Sequence, residues 1–158
     1  HRGLPLVLDA DAITSFEGQT AEFFKALLDQ VVLTPHEGEF ARVFPAIDLN
    51  DRLTAARLAA ELSGAVILLK GPETIVAAPD GRLAGNRHAS PWLATAGSGD
   101  VLAGLICGLL AQGNTAFEAA CIGAWLHGDI GVRSGPGLTA DGMMDWIPLV
   151  LAGCLGKG

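Results

Sequence analysis

Three short apolar runs, residues 4–8, 31–33 and 65–69, punctuate the first half of the chain, with stretches of helical length between them. Brief runs dominated by Leu, Val and Ile, without polar alternation, suit strands covered on both faces, the setting of a parallel sheet between helical layers. Each run ends on polar or turn-forming residues: Asp9-Ala10-Asp11, Thr34-Pro35 and Lys70-Gly71. The intervening segments carry helical spacing. Residues 20–30 place Phe23, Phe24, Leu27 and Leu28 on one face with Thr20 as cap, and residues 36–44 follow the Thr34-Pro35 break. Residues 50–62 put Leu53, Ala56, Arg57 and Ala60 on one face and stop at Gly64. Segments 74–78 and 82–85 flank Pro79-Asp80-Gly81, which predicts an antiparallel hairpin at one sheet edge. From residue 99 the pattern is helical in three pieces, 99–112, 116–132 and 143–155. The expectation is a single α/β domain over 1–158, with three layers, a mostly parallel sheet, an edge hairpin and a helical C-terminal end.

Half of the 158 residues are apolar and 17% are charged, enough to bury a sizeable core and too apolar for a disordered chain. The net charge is −7, and the ten Lys and Arg residues are scattered, which argues against nucleic acid as a partner. The longest apolar stretch, residues 101–111, is about half of the ~20 residues a membrane span needs and reads as a buried helix. Cys107, Cys121 and Cys154 are odd in number and far apart, fitting neither a disulfide framework nor a metal knuckle, so a reducing cytoplasm is expected.

Chemistry concentrates in Thr95-Ala96-Gly97-Ser98-Gly99-Asp100, which opens the first of the three late helices. Two glycines permit close backbone approach, and the helix end presents unpaired N–H groups and the positive end of its dipole. Gly97, Ser98 and Gly99 thus form an anion cradle. An acidic residue such as Asp100 in that turn can compensate the dipole or act on a ligand. Two sharper motifs fail: a dinucleotide fingerprint would need glycine at Leu102, and a Walker A loop would need Lys and Ser or Thr where Leu105 and Ile106 follow Gly104. His36-Glu37 lacks the second His of a zinc helix, since Phe40 stands there. Asp9 and Asp11 would share a face if the strand reached them and could then hold Mg²⁺; the equal alternative is a turn capped by one Asp. Asn86 reads either as a ligand-contacting amide or as loop structure. His88 and His127 read as structural.

The ordered set LVLDADAI, LTPHEGEFARVF, ILLKGPETIVAAPDGR, GN, TAGSGDVLAGLICGLLAQG and GAWLHG resembles the ADP/ATP-dependent NAD(P)H-hydrate dehydratases of the ribokinase-like superfamily, from about Leu6 to Gly128. That resemblance implies repair of hydrated NADH or NADPH (NADHX, NADPHX), with ADP in bacteria and archaea or ATP in eukaryotes. It implies that Lys70-Gly71-Pro72-Glu73-Thr74 is the adenine-nucleotide loop. It further implies that the Gly99 backbone meets the nucleotide, that His36 contacts substrate, and that Asp100 contacts the hydrated nicotinamide and is catalytic.

Two positions depart from the family pattern: Ala96, where glycine is usual, and Ser98, where Thr or Met is usual. The family's domain also has an amino-terminal part with no counterpart in this chain. The chain is therefore expected to be the C-terminal portion of that domain, truncated at the N-terminus, and its open sheet edge to favour a homo-oligomer. Two other functions stay open: a ribokinase-like kinase acting on a vitamin-precursor alcohol, and a non-catalytic nucleotide-binding module.

Overall fold

The computed structural model describes residues 3–27 and 29–156. Leu28, expected on the apolar face of the first long helix, lies outside the described residues. Five strands form one sheet in the order β1 (Leu6–Leu8), β2 (Val31–Leu33), β3 (Val66–Leu69), β4 (Thr74–Ala77) and β5 (Leu83–Asn86). The first three run parallel, with Leu6 opposite Val31 and Val32 opposite Val66; β4 and β5 add an antiparallel hairpin at the edge.

Period-two alternation along the buried strands divides the core. Val31, Leu33, Ile67, Leu69, Ile75 and Ala77 face one helical layer; Val32, Val66, Leu68, Val76 and Ala78 face the other. The first layer holds α1 (Asp11–Thr14), α2 (Thr20–Ala26), α3 (Glu37–Val43) and α4 (Arg52–Ser63); the second holds α5 (Ser98–Ala111) and α6 (Ala116–Ser134), with α7 (Ala140–Cys154) packed outside them. Each fully buried Leu or Ile contributes about 1.5–3 kcal/mol by leaving water, and both faces of β3 are lined with them.

Local details differ from the pattern reading. In α4 the buried stripe is Ala55, Ala56, Ala59 and Ala60, while Leu53 is half exposed, because small side chains let the helix sit close against the sheet. Helix α2 has Gln19, not Thr20, at its N-cap and ends at Ala26, where Leu27 turns extended. Helix α7 begins at Ala140, since the Thr139 hydroxyl accepts from Gly142 N at 3.2 Å and starts it early. Among the described residues, no helix is long and apolar enough to cross a membrane.

Candidate functional site

The carboxyl ends of the three parallel strands bring distant residues together. Asp9 follows β1, Thr34-Pro35-His36 follows β2 and Lys70 follows β3; Lys70 N donates to Pro35 O at 2.9 Å, extending the parallel pairing past the strands. Lys70 Nζ lies 2.7 Å from Asp9 Oδ1 and 3.7 Å from Glu39 Oε2, so one cation stands between two mostly buried carboxylates. Glu39 is held by a reciprocal cap: its Oε2 accepts from His36 N at 2.8 Å, while His36 Nδ1 accepts from Gly38 N at 3.0 Å and Glu39 N at 3.2 Å. A ring nitrogen that accepts two backbone N–H groups carries no proton, which leaves Nε2 as the ring's donor.

The amino end of α5 meets this group. Gly97 takes φ +82° to turn the chain into the helix, whereas Ala96 has no positive φ, so the family's usual glycine is not required there. A Cβ added to Gly99 would lie 3.5 Å from Asp9 Oδ2 and 3.6 Å from Lys70 Nζ, which places the first turn of α5 directly over the ion pair. His127, on α6, approaches from behind: its Nε2 is 2.8 Å from Ser98 Oγ and 3.0 Å from Ser98 O. Burial, with a smaller contribution from the Lys70 charge, holds the His127 pKa below its ordinary value against the opposing Ser98 carbonyl bond.

Two cavities flank that turn. The first, of about 800 Å³, lies over Lys70, Gly71, Pro72 and Thr74 and reaches Ser98, Gly99 and His127. The second, of about 740 Å³, is a largely apolar groove between α5 and α7 that contains Gly97 and Asp100. The wall of the first cavity is the segment between β5 and α5, fastened to α6. Asn86 Nδ2 donates to Ala124 O at 2.8 Å, His88 Nε2 lies 2.9 Å from the buried Asp129 carboxylate, and the His88 ring stacks on Trp125 at 5.3 Å.

His36 and Asn86 also line the first cavity, though the Asn86 amide is engaged by α6 and by His88 N. Glu73 points away to Arg87, 2.8 Å distant. Asp9 and Asp11 do not share a strand face: β1 ends at Leu8, Ala10 takes φ +46°, and Asp11 is exposed in the first turn of α1. Among the described residues no three metal-ligating side chains meet. Sequence reading missed His127 as a site residue. Its signal was spacing, since it lies seven residues past Ala120 and three past Ala124 on the face that packs toward the sheet and α5.

The sequence matches the family model described as NAD(P)H-hydrate dehydratase over residues 1–146. The chain belongs to that family. It is 46% identical over 133 residues to the ADP-dependent (S)-NAD(P)H-hydrate dehydratase of Neisseria meningitidis serogroup B, covering 81% of this chain and 45% of that protein. It is 51% identical over 126 residues to a bifunctional NAD(P)H-hydrate repair enzyme of Gloeobacter violaceus, covering 80% of this chain and 25% of that protein. The fold superposes on the ADP/ATP-dependent NAD(P)H-hydrate dehydratase of Bacillus subtilis, co-crystallised with ATP/Mg²⁺, with TM-score 0.79 at 31% identity, over 93% of this chain and 54% of that one. A ribokinase-like superfamily protein of Enterococcus faecalis gives TM-score 0.83 at 27% identity, over 97% of this chain and 54% of that one. This dehydratase-family chain therefore spans about half or less of the length of these proteins, and its α/β architecture is the ribokinase-like one.

Proposed function

We propose that the chain takes part in nucleotide-dependent dehydration of hydrated NADH and NADPH, with ADP as phosphoryl donor. The observation that carries this reading is the first turn of α5 standing between two cavities, with Ser98 and Gly99 on one and Gly97 and Asp100 on the other. An anion held at that helix end is reachable from both sides, which is what transfer of a phosphoryl group between two ligands needs. The nucleotide occupies the first cavity, against Lys70, Gly71, Pro72, Thr74 and the backbone around Glu73. The hydrated nicotinamide enters the second, beside Asp100. His36 and Asn86, which line the first cavity, are assigned to the part of the substrate that reaches past the α5 turn into it.

A ring hydroxyl is a poor leaving group until it is phosphorylated. Asp100 orients the C6 hydroxyl and takes its proton, the new O–P bond forms as the anhydride bond of ADP breaks, and the α5 N–H groups and Lys70 meet the charge on the transferring group. AMP departs in that transfer; loss of inorganic phosphate from C6 and of a proton from the neighbouring ring carbon then restores the dihydronicotinamide. The name of the Neisseria relative supports ADP over ATP. Asp9 is already engaged by Lys70 and Asp11 is exposed, so these carboxylates do not by themselves make a metal site; Mg²⁺ entering with the nucleotide would draw its ligands from phosphate oxygens and water.

The same reading treats residues 1–158 as one domain forming the carboxyl-terminal share of a longer dehydratase domain. It acts on small molecules in the cytoplasm, and the edge of β1 is where copies would associate. Product analysis tests the function: NADH, AMP and inorganic phosphate should form in equal amounts. Accumulation of a phosphorylated alcohol without phosphate release would favour the kinase, and nucleotide binding without any product the non-catalytic module.

A further inference from the structure

The segment from Lys70 to Glu73 is held from beneath by Arg52, the first residue of α4. Arg52 Nη1 donates to Glu73 O at 2.7 Å, and Nη2 donates to Lys70 O at 3.1 Å with a longer contact to Leu69 O at 3.5 Å. Its Nε stands 2.9 Å from Glu37 Oε1, a charge contact without hydrogen-bond alignment. One planar fork therefore grips both ends of the loop and ties it to the start of α3, next to His36. A trans peptide sets its carbonyl and N–H in opposite directions, so drawing the Lys70 carbonyl onto Arg52 turns the Gly71 N–H away from it. Gly71 lines the first cavity, and Arg52 does not. Gly71 lies so close over the guanidinium that an added Cβ would meet Arg52 Nη2 and Cζ. Its φ is not positive, so a side chain here would be opposed not by the backbone but by the Arg52 guanidinium, which its bonds to Lys70 O and Glu73 O hold in place.

We propose that Arg52 is a positioning residue for the nucleotide: it shapes the Lys70–Thr74 loop from behind, and its guanidinium is the reason position 71 is glycine. This rests on the reading of the first cavity as the nucleotide site. Lysine cannot replace it, because a single ammonium cannot span carbonyls at both ends of the loop.

The experiment compares wild type, Arg52→Lys, Arg52→Ala, Gly71→Ala and the Arg52→Ala/Gly71→Ala double variant in the protein at its full natural length. Thermal melts first establish that each is folded. Calorimetry then measures ADP affinity, and hydrogen exchange measures protection of residues 70–74 without ligand. The expected result is that Arg52→Lys speeds exchange in the loop and weakens ADP binding about tenfold, raising KM for ADP more than it lowers kcat. Gly71→Ala should do the same in the wild-type background and add little once Arg52 is gone. Unchanged exchange and affinity in Arg52→Lys, or full additivity in the double variant, would overturn the proposal. Absence of ADP binding in wild type would instead sink the nucleotide reading and the positioning role with it, whereas the ligand-free exchange data would still show whether the clamp exists.

Discussion

His127 Nε2 sits within hydrogen-bond distance of both the Ser98 hydroxyl, at 2.8 Å, and the Ser98 carbonyl, at 3.0 Å. A neutral ring that donates its Nε2 proton to both oxygens leaves the Ser98 hydroxyl proton free for a ligand at the α5 end. Because burial depresses the His127 pKa, the unfolded chain binds the proton more readily than the folded one. The stability this contributes is complete above the unfolded value of about 6.5 and is lost as the pH falls through the lower folded pKa. Wild type should therefore lose more melting temperature between pH 8 and pH 5.5 than His127→Gln does; equal losses would contradict the assignment.

Asp100 is separated from the first cavity and opens into the second. Replacing it with Asn should lower turnover by about 10²–10⁴ while leaving ADP affinity within about twofold of wild type. Calorimetry and a turnover assay on the same preparation give both numbers. Parallel loss of binding would put Asp100 in the nucleotide site instead.

Ala10, between Asp9 and Asp11, has φ +46° and ψ −123°, a conformation suited to glycine. Ala10→Gly should relieve strain and raise stability by about 1 kcal/mol, visible as a higher urea midpoint at unchanged slope. A lower midpoint would show that the turn is not strained.

Gly128 lies against the His88 carbonyl, where the cavity wall docks on α6, and an added Cβ would collide with it. Gly128→Ala should cost about 1–3 kcal/mol and weaken ADP binding, because the wall at Ser90 and Leu93 is displaced with it. Denaturant unfolding and calorimetry check the two effects, and loss of stability alone would separate the wall from the ligand.

The layered fold was legible because the buried strands are unbroken apolar runs and the hairpin carries a Pro-Asp-Gly turn. Local helix limits were not, because they depend on distant partners. Gln30, expected at the end of α2, lies outside it with φ +64°, and its side chain accepts from Ala116 N at 2.7 Å, at the start of α6. The α4 face was legible in part: Ala56 and Ala60 are buried as expected, but Leu53 and Arg57 are exposed because packing against the sheet selected the small Ala55 and Ala59 instead. In the site, the Gly97–Asp100 turn and the Lys70 loop were visible as motifs. His127 was not, since its helical spacing marks only the face it packs on and its partner Ser98 is 29 residues away. Arg52 was hidden for the same reason: what it grips is backbone carbonyls, which have no residue signature.

The most direct test of the central claim is recovery of the dihydronicotinamide absorbance band from hydrated NADH in the presence of ADP and Mg²⁺, using the protein at its full natural length beside its Asp100→Asn variant. Recovery should require both ADP and an intact Asp100. No recovery despite measurable ADP binding, or equal recovery in the variant, would contradict it.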